Sequence, residues 1–250
     1  MTTIPKQPAV SIALSTFKGG AGKTALSINL GAELGSQGNK ILIIDCDLQQ
    51  SSYRWYMTSK VRKLISDADN LEVIPISPGE SLQERLAVAP PADIHIYDVS
   101  GYAHDRAIEV FRRVDAVVIP VILEPTSATQ AINISRLLYE IAASRGRPVT
   151  PHAAIWNHVD QIALRSNRAI PEVTRILSSG NVPLFETIIR KTNHFSDVVA
   201  GFGTLYTKLR AIDANANMSP SAKKRARESV LDAIDQIKSL NNDFISLIRA

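Results

Sequence analysis

Short apolar runs alternate with longer amphipathic ones along most of the chain. Val10 to Leu14, Lys40 to Asp45, Leu71 to Ile76, Ile94 to Val99, Ala116 to Val121, His152 to Trp156 and Leu184 to Ile189 read as short buried strands. Between them the apolar positions change to a helical spacing. Leu26, Leu30 and Leu34 predict a helix starting near Thr24, and Trp55, Tyr56, Val61, Leu64 and Ile65 predict one over Tyr53 to Ile65. Further helices are expected over Ser81 to Val88, stopped by Pro90-Pro91, over Ala103 to Arg113, over Ser127 to Ala143, and from Ile170-Pro171 through Leu177. Apolar strands regularly separated by helices predict a doubly wound α/β fold, with a mostly parallel sheet covered on both faces.

The ends depart from this rhythm. Residues 1–8 read as a flexible lead, and the whole of 1–250 as one domain. Asp213 to Ser221, rich in Asn, Ala, Ser and Pro, reads as a surface excursion before a terminal helix over 221–250. Val230, Ile234, Ile237, Phe244 or Ile245, and Ile248 give that helix one apolar stripe. Such a stripe can pack on the domain's own sheet, lie on a membrane or meet a partner helix. Asp232, Asp235 and Asp243 interrupt its polar face and the cations lie upstream, which favours packing on the sheet and disfavours membrane binding.

With 250 residues, 45% hydrophobic and 21% charged, the chain is long enough for one large α/β domain. No apolar run approaches the roughly 18 residues of a membrane span. Met1 to Gln7 lacks the apolar segment of a signal peptide, and Cys46 is the one cysteine. An internal disulfide framework or a self-contained four-cysteine cluster is therefore excluded, and a cytoplasmic location is expected. A net charge of +4 permits a polyanionic partner.

The chemistry centres on Phe17 to Ala25, F-K-G-G-A-G-K-T-A, between the first strand and the first helix. Gly19, Gly20 and Gly22 let the backbone curl so that N–H groups point inward at the positive end of a helix, an anion site. Lys23 can reach a phosphate and the Thr24 hydroxyl can bind Mg²⁺. Ligands of an open parallel sheet sit beyond the C-terminal strand ends, where Asp45, Asp47 and Asp98 also lie. Asp98 ends I-H-I-Y-D, a strand suited to holding Mg²⁺ directly or through water, and Gly101 follows where a backbone N–H could sense a γ-phosphate. An Asx turn leading into the next helix is the structural alternative for Asp47, and Ser51 or Ser52 is placed to cap that helix.

Phe17 stands where the strict phosphate-loop pattern has glycine, and Lys18 follows it. K-G-G-A-G-K-T resembles the deviant Walker A loop of the ParA/MinD family of P-loop ATPases. Asp45-Cys46-Asp47-Leu48-Gln49 is similar to that family's D-x-D-P-Q segment, with Leu48 in the proline's place. V-V-I-P-V before Glu124-Pro125, Asn157 after I-W, and F-E-T-I-I-R before a short helix extend the resemblance from about Ser11 to Tyr206.

The resemblance implies a P-loop NTPase fold, with ATP and Mg²⁺ as cofactors. Lys18, Gly19, Gly20, Ala21, Gly22, Lys23, Thr24 and Ala25 would cradle the phosphates, and Asn157 would read adenine. Thr24, Asp45 and Asp98 would organise Mg²⁺. Lys23, Lys18 reaching across a nucleotide-sandwiched homodimer, and Asp47 positioning water would carry hydrolysis, slow and stimulated by a partition-type adaptor protein. Lys208, Arg210, Lys223, Lys224, Arg225 and Arg227 face a single acid in their own stretch, Asp213. With Arg190 and Lys191 they form a candidate surface for non-specific DNA, and a solvated helix start is the plainer alternative.

The function implied is a ParA-like switch that partitions or positions a plasmid, chromosome or other cargo, nucleoid-associated when ATP-bound. Alternatives are a MinD-like membrane-associated positioning ATPase, an accessory ATPase for secretion, conjugation or protein-cargo positioning, and a metabolic P-loop ligase. An iron-protein-like reductase needs cluster cysteines that one Cys cannot supply.

Overall fold

The computed structural model describes residues 10–17, 19–100, 104–160, 164 and 169–249. Lys18 and Gly101, both singled out from the sequence, lie outside the described residues. Strands β1 (Val10–Thr16), β2 (Ile41–Asp45), β3 (Leu71–Pro75), β4 (Ile94–Ser100), β5 (Ala116–Val121), β6 (His152–Val159) and β7 (Leu184–Arg190) form one sheet, in the order β3-β2-β4-β1-β5-β6-β7. Every pairing is parallel. This is the doubly wound parallel sheet that the alternation predicts.

The two faces of the sheet carry separate cores, because side chains alternate along each strand. Ile12, Leu14, Ile41, Ile43, Ile94 and Ile96 face one layer. That layer comprises α1 (Lys23–Ser36), α2 (Ser51–Val61), and the C-terminal helices α7 (Asn193–Val199), α8 (Leu205–Ala214) and α9 (Pro220–Arg249). Ala13, Leu42, Ile44, Tyr97 and Val99 face the other, built from α3 (Leu82–Ala87), α4 (His104–Phe111), α5 (Pro125–Arg145) and α6 (Ala169–Ser179). The parity matters at the strand ends. Asp45 and Asp98 continue the rows Ile41-Ile43 and Ile94-Ile96, so both point toward the α1/α2 layer.

The terminal stripe is consumed internally. Val230, Ile234, Ile237, Leu240 and Phe244 are buried with Leu26 of α1 and Leu14 of β1. Helix α9 also covers the free edge of β7: the N–H of Thr187 donates to Asp243 Oδ2 at 3.2 Å and that of Arg190 to Gln236 Oε1 at 2.7 Å. An open edge would otherwise expose unpaired backbone groups. Because residue numbers fall along α9 as they rise along β7, the basic start of α9 lies at the C-terminal end of the sheet.

Three differences from the sequence reading fall in the α1/α2 layer. Helix α2 begins at Ser51 and ends at Val61, because Lys63 adopts a left-handed backbone (φ 55°) that breaks it. Helix α8, carrying Leu205, Leu209 and Ile212 at helical spacing, stands where a basic run had been the main signal. The excursion before the terminal helix shrinks to residues 215–219. Among the described residues no helix is long and apolar enough to cross a membrane.

Candidate functional site

The central strand β1 delivers the glycine loop to the C-terminal end of the sheet, between β4 and β5, where the strand order reverses. Gly20 and Gly22 both have left-handed φ, 78° and 77°. Gly22 is the N-cap of α1 and no side chain among the described residues caps that helix end, so its first N–H groups remain directed into the loop. A ligand anion would meet them together with the positive end of the helix.

Lys23 is only 8% exposed. Its Nζ lies 2.6 Å from Asp98 Oδ1 and 3.3 Å from Asp47 Oδ2. Burial works against its charged form, but Asp98, Asp47 and Asp45 outweigh that, and its pKa is raised. Asp98 is fully buried and also accepts, on Oδ2, the hydroxyls of Thr24 at 2.9 Å and of Ser52. Asp45 is its lateral neighbour in the β2–β4 register and equally buried. Asp45 accepts the backbone N–H groups of Asp47 at 3.1 Å and Tyr53 at 2.9 Å. Burial, then the charge of Asp98, push its pKa up to about 7.

Three carboxylates gather around one lysine, and a cation beside Thr24 and Asp98 would add positive charge to balance them. The donor set of carboxylate and hydroxyl oxygens fits Mg²⁺, which commonly takes one or two carboxylates and completes its shell from phosphates and water. Among the described residues no group of three or more His, Cys, Asp or Glu forms a metal cluster, so ligand oxygens would be needed here. Thr24, Asp98 and Asp45 would hold the ion.

Asp47 does two things at once. Its Oδ1 accepts the N–H of Gln49 at 2.9 Å, the Asx turn weighed as an alternative, while Oδ2 faces Lys23. Cys46 between the two aspartates is buried, and burial raises its thiol pKa. The cap expected from Ser51 or Ser52 is not made. Gln50 is the N-cap with φ 48°, no side chain caps the helix, and Ser52 turns inward to Asp98 instead.

Asn157 is brought to the loop, although not as an open base-reading group. Its Nδ2 donates to the Ala21 carbonyl at 2.5 Å, and the residue is buried. His158, with φ 55°, lies beside Gly22, and burial together with Lys191 lowers its pKa. The resulting cleft, about 440 Å³, is lined by Thr16, Gly19 to Ala25, Asp47, Gln49 and His158, and by Phe195, Ser196 and Val199 of α7. The α7 residues and Ser52 were not read as site residues. Their only sequence signals were the short helix after F-E-T-I-I-R and a serine pair after D-x-D.

The proposed DNA-contacting cations are mostly engaged. Arg190 pairs with Asp232, Lys208 with Asp197, Arg210 with Asp69 at 2.9 Å and Arg227 with Asp213 at 2.9 Å. Lys224 lies 3.9 Å from Glu228, and Lys223 donates to the Asp213 carbonyl. Lys191 and Arg225 are exposed and have no ion pair among the described residues. The single acid seen in the local stretch is joined by Asp69, Asp197 and Asp232 from elsewhere in the fold. Exposed pairs of this kind are weak and exchange readily with other anions.

Three comparisons with known proteins bear on this arrangement. A family model described as an AAA domain matches residues 9–74. Among curated proteins, Protein ParA of Rhizobium radiobacter is 24% identical over 203 residues, 80% of this chain and 86% of that protein. The antiactivator FleN of Pseudomonas aeruginosa is 22% identical over 159 residues, 52% of this chain; the match spans only 57% of FleN's length. Among solved structures, the MinD cell division protein of Aquifex aeolicus superposes with a TM-score of 0.63 at 17% identity, covering 94% of this chain and 97% of MinD. A putative plasmid partition protein of Borrelia burgdorferi bound to AMPPNP gives 0.56 at 18% identity, covering 92% and 99%.

Proposed function

We propose that this chain, which is similar in its loop sequence and its fold to the ParA/MinD-like P-loop ATPases, is a nucleotide-driven switch for partitioning or positioning a cargo. The observation that carries the reading is the placement of Lys23: at the loop's helix end, in contact with both Asp98 and Asp47. ATP phosphates entering the cleft would draw Lys23 onto their oxygens and leave Asp98 and Thr24 to Mg²⁺. When bound, that ion would neutralise charge on the β- and γ-phosphates. Asp47, released from Lys23, would orient the attacking water. Lys18 would complete the site across an ATP-bound homodimer, and an adaptor protein would stimulate turnover.

The C-terminal layer supports a DNA-facing output, in the cytoplasm at the nucleoid. Helix α7 lines the cleft and leads directly into α8 and the basic start of α9, at the same end of the sheet. Non-specific DNA would exchange with the weak surface carboxylate pairs there. A membrane-bound reading finds less support, because the apolar stripe of α9 is already buried in the domain.

The test is co-sedimentation with DNA under ATP, ADP and no nucleotide, at low and raised salt, for the wild type and Lys23→Ala. The wild type should bind with ATP, and binding should weaken steeply with salt. Lys23→Ala should lose nucleotide binding by at least about a hundredfold, the equivalent of about 2.7 kcal/mol, and lose DNA binding with it. ATPase activity unchanged by Lys23→Ala would refute the phosphate-loop assignment; ATP binding without DNA binding would refute only the DNA output.

A further inference from the structure

Ser52 occupies the second position of α2 and is fully buried. A serine at a helix start ordinarily caps backbone N–H groups or faces water. This one does neither: its Oγ donates to Asp98 Oδ2, the same oxygen that accepts from Thr24. Hydroxyls from two different helices, α1 and α2, therefore converge on one carboxylate oxygen. Among the described residues the other oxygen, Oδ1, is held by Lys23 alone.

We propose that Ser52 is a positioning residue for the Mg²⁺–nucleotide site, fixing the Asp98 carboxylate once Lys23 has left it for the phosphates. The proposal rests on the phosphate-loop reading above. The carboxylate torsion of an Asp is soft and nearly two-fold. With Lys23 gone, Thr24 alone would leave the group free to swing. A second donor, on a different helix, keeps Oδ2 pinned and would leave Oδ1 for the incoming charge. Thr24 could serve both partners, since its proton goes to Asp98 and its lone pairs would remain for a cation.

The frame behind Ser52 is rigid. The next residue, Tyr53, donates its N–H to Asp45 Oδ2 at 2.9 Å, so a single turn of α2 orients both buried carboxylates. Further along α2, Trp55 Nε1 donates to the Gly203 carbonyl at 2.9 Å, and Arg62, just past its end, to the Gly201 carbonyl at 3.0 Å. Arg62 also lies 4.7 Å over the Phe202 ring. A hydroxyl on a helix anchored along its length holds its direction better than one on a loop.

The experiment measures binding of a fluorescent ATP analogue to the full chain while Mg²⁺ is titrated, and again in EDTA. Ser52→Ala should raise the Mg²⁺ concentration at half-saturation about tenfold, the loss of one hydrogen bond to a charged group. Affinity in EDTA should stay within about twofold, because the loop itself is intact. Asp98→Asn should raise the Mg²⁺ requirement, and adding Ser52→Ala to it should do nothing more. Ser52→Cys, a near-isosteric weak donor, should fall between serine and alanine, and it carries the test if the alanine variant does not fold. An unchanged Mg²⁺ requirement, an equal loss in EDTA, or an additive loss on Asp98→Asn would overturn the proposal while leaving the phosphate loop standing. A wild type that binds no nucleotide would overturn both.

Discussion

Gly22→Ala is the sharpest probe of how the loop is built. At φ 77° an L-residue carries a left-handed penalty of about 1–2 kcal/mol. The new Cβ would also stand 2.4 Å from Asn157 Nδ2 and 2.8 Å from His158 Nε2, distances at which something must move. The movable partner is Asn157, and moving it breaks its bond to the Ala21 carbonyl and strands a buried polar group, about 1–3 kcal/mol more. The expected cost in the nucleotide-free protein is thus about 2–5 kcal/mol, read from urea unfolding. Gly20→Ala is the internal control. Its φ is 78° and a Cβ there meets nothing within 4 Å among the described residues, so only the backbone penalty applies, about 1–2 kcal/mol. Any gain from a stiffer unfolded chain is common to both and cancels. Asn157→Ala combined with Gly22→Ala should recover part of the loss, since the nearest atom is gone. Equal costs for the two glycine variants, or strict additivity with Asn157→Ala, would refute the packing of β6 against the loop.

Other outcomes are expected with simpler assays. Asp47→Ala should leave ATP binding within a few-fold and lower turnover at least about a hundredfold, as for a residue acting mainly in the transition state; normal turnover would reduce Asp47 to the turn that its bond to Gln49 already makes. Ile237→Ala, at a fully packed position of α9, should cost about 2–5 kcal/mol in urea unfolding, and retained stability with altered vesicle binding would restore the membrane reading. Burial and Asp98 raise Asp45 to about 7 in the folded protein, against an ordinary value of 3.8. The folded state therefore holds a proton that the unfolded chain has lost across that interval, so nucleotide-free stability should fall as pH rises from about 4 to 7 and change little from this group above it. Asp45→Asn should flatten that slope in urea midpoints measured across the range.

What could be read from the sequence is what depends on local pattern. Each predicted strand is present because a run such as Ile41–Ile44 cannot be half exposed, and a strand with no polar alternation must have helices on both sides. The loop was legible because glycine spacing, lysine and threonine specify a backbone shape and its contents together, and Asp45, Asp47 and Asp98 followed because strand ends converge on it. The features that escaped depend on distance in sequence. The basic run looked unopposed because Asp69, Asp197 and Asp232 reach it only through the fold. Asn157 came to the site through the resemblance alone, because nothing local shows that β6 brings it against Ala21. Ser52 looked like a helix cap for the same reason. Its role follows from the parity of β2 and β4, which turns both carboxylates toward α1 and α2 and leaves the Ser52 side chain no open solvent to face. A buried polar side chain must find a partner, and here the partner available is the carboxylate the site depends on. The capping rule thus fails in sequence at the place where the fold uses the hydroxyl for the site, which is where local rules are expected to break.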